Sequence, residues 1–220
     1  MVHAHTMPKA LVFDFDGVIS LSEGPRFVFL QQALADHGVI LPDIGATKLT
    51  GRTTSDFLKD LELIGLTEEI KEQVRERYKK EFKANITSHA KPNLPVVRFI
   101  KNYEGDLPMA IATGSHSESV QKVIKLFGIS NKFQTIVGNE HVENNKPHPE
   151  AYLTAAERLN VDPTEILVIE DSPAGLQSAK AAGAKAYIVL NGSNQKAHFE
   201  ENAPHGFVET EMDLHDLVRT

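Results

Sequence analysis

The 220-residue sequence contains no cysteine. That absence excludes a disulfide scaffold, a cysteine-ligated zinc site and a thiol nucleophile. The sequence also lacks a basic run, since 23 lysines and arginines stand against 30 aspartates and glutamates, a formal net charge of −7. Proteins that bind nucleic acid normally carry a positive surface, so we expect no nucleic-acid partner.

Long apolar runs are missing as well. None approaches the roughly 18 residues of a membrane-spanning helix, so we expect no membrane association. Residues 1–9 show no charged region followed by an apolar one, which argues against a secretory leader. We therefore expect a cytoplasmic protein, and the sequence indicates no obligate protein partner. Its 41% hydrophobic and 24% charged residues are typical of a globular chain.

Short apolar runs that alternate with amphipathic stretches indicate the fold class. Runs apolar throughout are typical of strands in a parallel sheet whose two faces are covered by helices. Between two of them, Ser172 and Pro173 predict a helix start, as N-cap and first-turn residue, and Gly183 predicts its end. The alternation predicts a doubly wound α/β domain. The predicted strands are 10–14, 108–113, 135–137, 166–170 and 186–190.

The segment from 21 to 91 interrupts this alternation with helical patterns and no convincing strand. A structureless loop of that length would be unusual in a compact domain, so we predict an inserted helical domain. Residues 1–20 and 92–220 would then form the α/β core. The apolar patterns of the insert are Phe27–Leu34, Phe57–Ile64 and Ile70–Phe82.

Two aspartates and a glycine end the first predicted strand: Asp14, Asp16 and Gly17. Ligands of open α/β sheets bind beyond the carboxyl ends of the strands, and residues i and i+2 point the same way. Glycine allows the chain to turn where a side chain would block an approaching ligand. The alternative is an ordinary acidic turn.

The fourth predicted strand ends in Glu170 and Asp171. If it neighbours the first strand, three or four carboxylates converge, and their repulsion would protonate one of them unless a cation intervened. An all-oxygen site of this kind suits Mg²⁺ and a partner that carries phosphate. The alternative is that these acids only begin the next helix, where its dipole stabilises them.

Two further groups could bind phosphate. Thr113, Gly114 and Ser115 close the second strand and offer a hydroxyl and unobstructed amides. Lys146 precedes Pro-His-Pro and a predicted helix, where its charge could neutralise a phosphate. Taken alone, each group is more typical of a structural role, as a polar strand end or a surface lysine. Their order after four different strand ends is the specific signal.

Four segments of the sequence resemble, in chain order, motifs one to four of the haloacid dehalogenase (HAD) superfamily. They are Asp14-Phe-Asp16-Gly17, Thr113, Lys146-Pro-His-Pro and Glu170-Asp171-Ser-Pro-Ala-Gly-Leu. The insert resembles the small cap of its β-phosphoglucomutase-like and phosphoglycolate-phosphatase-like branch, and the resemblance covers nearly the whole chain. It implies a core sheet of order 5-4-1-2-3, a mobile cap over 21–91, and Mg²⁺-dependent chemistry through an aspartyl phosphate.

The resemblance also implies a role for each motif residue. Asp14 is similar to the nucleophile, and Asp16 to the general acid that later activates water. The implied metal ligands are Asp14, the Asp16 backbone carbonyl, Asp171 and Glu170, the last directly or through water. Residues expected to stabilise the transferring phosphoryl group are Thr113, the Gly114 amide and Lys146.

The expected activity is hydrolysis of a small phosphorylated metabolite. A phosphomutase of the β-phosphoglucomutase type is the alternative, although the cap has Thr50 and Thr54 where such mutases usually carry basic residues. Arg52 is the candidate for cap specificity. A 2-haloacid dehalogenase is less expected, since Asp16 supplies an acid that halide does not need. A phospho-accepting signalling domain is a further alternative, but it has no reason to shield its aspartate with a cap.

Overall fold

A six-stranded sheet forms the centre of the computed structural model, which describes residues 7–21, 23–40, 58 and 66–219. The strand order is β3-β2-β1-β4-β5-β6 and every neighbouring pair is parallel. This confirms the α/β class and, read from the other edge, the expected order of the first five strands. The strands are β1 (Ala10–Phe13), β2 (Met109–Ala112), β3 (Thr135–Val137), β4 (Ile166–Glu170), β5 (Lys185–Val189) and β6 (Gly206–Val208).

Helices cover both faces of the sheet. Leu11 and Phe13 pack into an apolar cluster on one face, whereas Ala10 and Val12 pack into a second cluster on the other, as the two-residue period of a strand requires. In the part of the chain described, no helix combines the length and apolarity that a membrane crossing needs. The helices are α1 (Glu23–Ala35), α2 (Glu68–His89), α3 (Leu94–Asn102), α4 (Ser117–Leu126), α5 (Glu150–Leu159), α6 (Pro173–Ala181) and α7 (Glu211–Val218).

The register brings the ends of β1, β2 and β4 together. Phe13 is paired with both Ile111 and Ile169, so the residues that follow them in the chain emerge side by side. At the end of β4 the expected helix start is present, because Ser172 Oγ accepts the Gly175 N–H at 3.0 Å. The helix ends at Ala181, close to the expected end.

The insert contributes α1 and α2, which pack on each other. The chain enters and leaves this pair through two adjacent segments, where the Leu21 N–H donates to the Lys91 carbonyl at 2.8 Å. The predicted helix Phe57–Ile64 lies outside the described residues apart from Leu58, and the domain boundaries at 21 and 91 stay a prediction. The apolar cluster of this pair is Phe27, Phe29, Leu30, Ala33, Leu34, Leu58, Leu66, Val74 and Tyr78.

Candidate active site

Three buried carboxylates meet where β1 and β4 end. Asp14 follows β1, Glu170 ends β4 and Asp171 follows it, and one oxygen of each lies within 4.8 Å of the others. Their residues are only 7%, 1% and 4% exposed. Carboxylates this close and this buried repel one another unless cations compensate. The structure thus brings together three of the acids that the sequence offered as metal ligands.

Lys146 provides one compensating cation. Its Nζ lies 2.7 Å from Asp14 Oδ1 and 2.6 Å from Glu170 Oε1. The ammonium also donates to the Ala112 carbonyl at 3.0 Å and to the Tyr152 hydroxyl at 2.9 Å. Burial opposes its charge, but the two carboxylates outweigh burial and raise the pKa of Lys146. Lys146 is therefore a charged member of the site, not a surface lysine.

Glu170 uses both carboxylate oxygens in hydrogen bonds. Besides the Lys146 ammonium, Oε1 accepts the Tyr152 hydroxyl at 2.7 Å. Oε2 accepts the Asp171 N–H at 2.8 Å, and the Ser172 N–H and hydroxyl at 3.1 Å each. Burial opposes ionisation, but Lys146 outweighs it and lowers the pKa of Glu170. With both oxygens engaged, Glu170 is better placed to meet a metal through water than directly.

Asp14 is costly to ionise. Burial raises the pKa of Asp14 to about 7, with Lys146 opposing the shift and the charges of Glu170 and Asp16 adding to it. The folded chain therefore holds this proton more tightly than an unfolded chain with the ordinary pKa of 3.8. As pH rises between these two values, Asp14 lowers the free energy of unfolding. A divalent cation at the cluster would offset that cost.

The Asp16 side chain faces the turn after β2. Asp16 Oδ2 accepts the Ser115 hydroxyl at 2.6 Å. The Ser115 N–H in turn donates to Thr113 Oγ1 at 3.0 Å, and Gly114 lies between them. The second acid after β1 and the hydroxyl-bearing turn after β2 are therefore joined at the same sheet edge.

Gly17 permits a close approach between the turn after β1 and the side chain of Asp171, which follows β4. Its φ of +84° is in the left-handed region, and a Cβ on it would overlap the Asp171 carboxylate and crowd the Asn191 side chain. The sequence predicted a glycine that makes way for a ligand. In the structure, the group that it makes way for is the neighbouring acid.

The cluster fits a hard divalent cation. The three carboxylates at the ends of β1 and β4 offer oxygen, and they face one ammonium, which leaves excess negative charge. Mg²⁺ and Ca²⁺ both prefer oxygen ligands of this kind. The site can therefore hold such a cation.

Sequence reasoning missed Asn191 and Tyr152, and one expected residue lies outside the part of the chain that the structure describes. Arg52 lies outside the described residues, so its role stays a prediction. Asn191 follows β5, and the strand-end rule could have found it. Tyr152 gave no polar signal, because it occupies an apolar position of α5.

Comparison with known proteins gives a consistent assignment. The family model for haloacid dehalogenase-like hydrolases matches residues 11–189. YhcW of Bacillus subtilis is 35% identical over 204 residues, which cover 89% of each chain. The fructose-1-phosphate phosphatase YqaB of Escherichia coli is 30% identical and covers 81% of this chain and 95% of its own. A solved structure from Lactobacillus plantarum shares the fold, with a TM-score of 0.85 at 19% identity, covering 96% of this chain and all of that one. The chain therefore belongs to the haloacid dehalogenase-like hydrolase family.

Proposed function

We propose that this protein is a Mg²⁺-dependent phosphatase that hydrolyses a small phosphorylated metabolite through an aspartyl phosphate on Asp14. The observation that carries the proposal is the group of three buried carboxylates, Asp14, Glu170 and Asp171, with Lys146 paired to two of them at the carboxyl edge of the sheet. The name of the Escherichia coli relative supports a sugar phosphate as the substrate class.

In the first step, an Asp14 carboxylate oxygen forms a bond to phosphorus and the bond to the ester oxygen breaks. Asp16 gives its proton to the leaving oxygen. In the second step, Asp16 takes a proton from water, whose oxygen attacks phosphorus and breaks the bond to Asp14. Inorganic phosphate leaves and the protein returns to its starting state.

Three groups would hold the transferring phosphoryl group. Lys146 is charged and already lies 2.7 Å from Asp14, so it would meet a phosphoryl group bound to that residue. Thr113 and the Gly114 amide, at the end of β2, would bind its other oxygens. Donors fixed in advance by the fold stabilise charge that develops in the transition state, which is commonly the largest catalytic effect.

Mg²⁺ would be held by Asp14, Asp171, the Asp16 backbone carbonyl and, through water, Glu170. When bound, it neutralises phosphate charge and orients the group for in-line attack. The proposed cap over 21–91 would exclude bulk water during the reaction. Arg52 in that segment is our candidate for a residue that selects the substrate.

Phosphate release from a panel of sugar phosphates and other small phosphate esters tests this function. We expect release with Mg²⁺ and none in excess EDTA. Conversion of β-glucose 1-phosphate to glucose 6-phosphate without phosphate release would instead identify a phosphomutase. Full phosphate release in EDTA would contradict the proposed metal requirement.

Mg²⁺ should also stabilise the fold. At a concentration 100-fold above its Kd, a ligand that binds only the folded state raises the free energy of unfolding by about 2.7 kcal/mol. Urea unfolding with and without Mg²⁺ measures this gain. Asp171→Ala should remove most of it, whereas Asp216→Ala, which changes an exposed carboxylate on α7, should keep it. An equal gain in both variants would show that the cluster is not the cation site.

Asp16→Asn should distinguish the roles of Asp14 and Asp16, the two aspartates that follow β1. Loss of a general acid costs roughly 10²–10⁴-fold, and p-nitrophenolate needs little protonation to leave. With p-nitrophenyl phosphate we expect a burst of about one p-nitrophenolate per site, followed by slow turnover, because no base activates water. With an alkyl phosphate the burst should be absent. Equal rate losses on both substrates, with no burst, would contradict this division of roles.

A further inference from the structure

The loop after β5 holds two asparagines against the proposed metal site. Asn191 Nδ2 donates to the Gly17 carbonyl and to Asp171 Oδ2, at 2.9 Å each. Its other amide atom, Oδ1, accepts the Ser193 N–H at 2.9 Å. That bond fixes the orientation of the amide group, so both protons of Nδ2 point at the carboxyl edge of the sheet.

Asn194 braces the same loop from inside the protein. It is 5% exposed, and its Nδ2 donates to the Asp171 carbonyl at 2.7 Å and to the Val189 carbonyl at 2.9 Å. Its Oδ1 accepts the Asn191 N–H at 3.2 Å. These bonds tie the loop to the end of β5 and to the backbone of Asp171, and they fix the position of the Asn191 backbone.

The two acceptors of Asn191 belong to different strand ends. Gly17 follows β1 and Asp171 follows β4, and the two are so close that a Cβ on Gly17 would overlap the carboxylate. The neutral amide of Asn191 bridges them. This bridge ties the Asp171 carboxylate to the turn that carries Asp14 and Asp16, without adding a charge that would compete for the cation.

We propose that Asn191 is a positioning residue that holds Asp171 in the orientation in which it binds the divalent cation. The inference rests on the proposed function, because it assumes that Asp171 is a metal ligand. Residues that orient metal ligands typically change metal affinity by about 10- to 100-fold when they are replaced. An amide that only stabilised the loop would change the free energy of unfolding and leave metal affinity alone.

The test is a titration of the protein with Mn²⁺ in the absence of substrate. Electron paramagnetic resonance of the free ion measures how much Mn²⁺ is bound. Asn191→Leu keeps the approximate size of the side chain and removes both donors, and Asn191→Ala is a second variant in case leucine does not fit. Asn85→Leu is the matched control, since Asn85 Nδ2 on α2 donates to the Glu81 carbonyl at 2.9 Å, in a helix of the insert.

We expect both Asn191 variants to raise the Kd for Mn²⁺ by about 10- to 100-fold, and the control to stay within about twofold. Phosphatase assays should show a matching rise in the Mg²⁺ concentration for half-maximal rate, with kcat at saturating Mg²⁺ nearly kept. An unchanged Kd in folded variants would overturn the proposal, as would loss of the folded state in both variants. A wild-type protein that binds no Mn²⁺ would instead contradict the proposed function itself.

Discussion

Asp14→Asn should abolish turnover of every phosphate ester, whatever its leaving group. An amide oxygen cannot form the acyl phosphate, so no later step can begin. Removal of a catalytic nucleophile in a well-studied hydrolase costs about 10⁶-fold in kcat, and we expect a loss of at least about 10⁴-fold here. The measurement is steady-state and single-turnover release of p-nitrophenolate at high enzyme concentration.

The variant should remain folded, so the loss can be assigned to chemistry. Burial raises the pKa of Asp14, so loss of its charge relieves a desolvation cost at this position. Lys146 keeps its bond to Glu170 at 2.6 Å. Asp216→Asn makes the same chemical change on the surface and should leave kcat unchanged. If Asp14→Asn retained a tenth of the wild-type rate, Asp14 would not be the nucleophile.

Lys146→Met should destabilise the fold as well as stop the reaction. Nζ of this residue is the cation between Asp14 and Glu170, and the variant leaves those buried carboxylates without it. Breaking a buried ion pair by removal of one partner costs about 3–5 kcal/mol. Urea unfolding measures the change. Lys122→Met, which removes an exposed pair with Glu118, should cost about 1 kcal/mol or less.

A double variant distinguishes loss of charge pairing from loss of packing. Glu170→Gln removes one of the carboxylates that Lys146→Met strands, so Lys146→Met with Glu170→Gln should be more stable than Lys146→Met alone. If the double variant lost as much free energy of unfolding as the two single variants together, the ion pair would not be the source of the destabilisation. A cost below about 1 kcal/mol for Lys146→Met would contradict a charged Lys146 that is paired with buried carboxylates.

Much of the fold was predictable because its strands are apolar on both faces. A run such as 166–170 is typical of a strand in a sheet that helices cover on both faces. The structure has a strand at those positions, Ile166–Glu170. The order of the strands came from the family resemblance, since periodicity does not specify neighbours. The edge strand Gly206–Val208 was missed because three residues, one of them glycine, give no recognisable pattern.

The candidate site was also predictable only in part. Acids at strand ends were predictable, because parallel strands deliver their carboxyl ends to one edge. The ion pair of Lys146 with Asp14 was not, since it joins residues 132 positions apart, and burial of the lysine depends on the packed core. The role of Tyr152 was likewise not predictable, because its hydroxyl meets Glu170 only when α5 is packed against the sheet.

The central claim is that phosphate is transferred to Asp14, and Asp16→Asn offers the most direct measurement. After the burst with p-nitrophenyl phosphate, the quenched protein is reduced with sodium borohydride, which converts an aspartyl phosphate to homoserine. Peptide mass spectrometry then locates the reduced residue. We predict homoserine at position 14 in proportion to the burst, and none in Asp14→Asn. Homoserine at another position, or phosphate release with no reducible intermediate, would contradict the account.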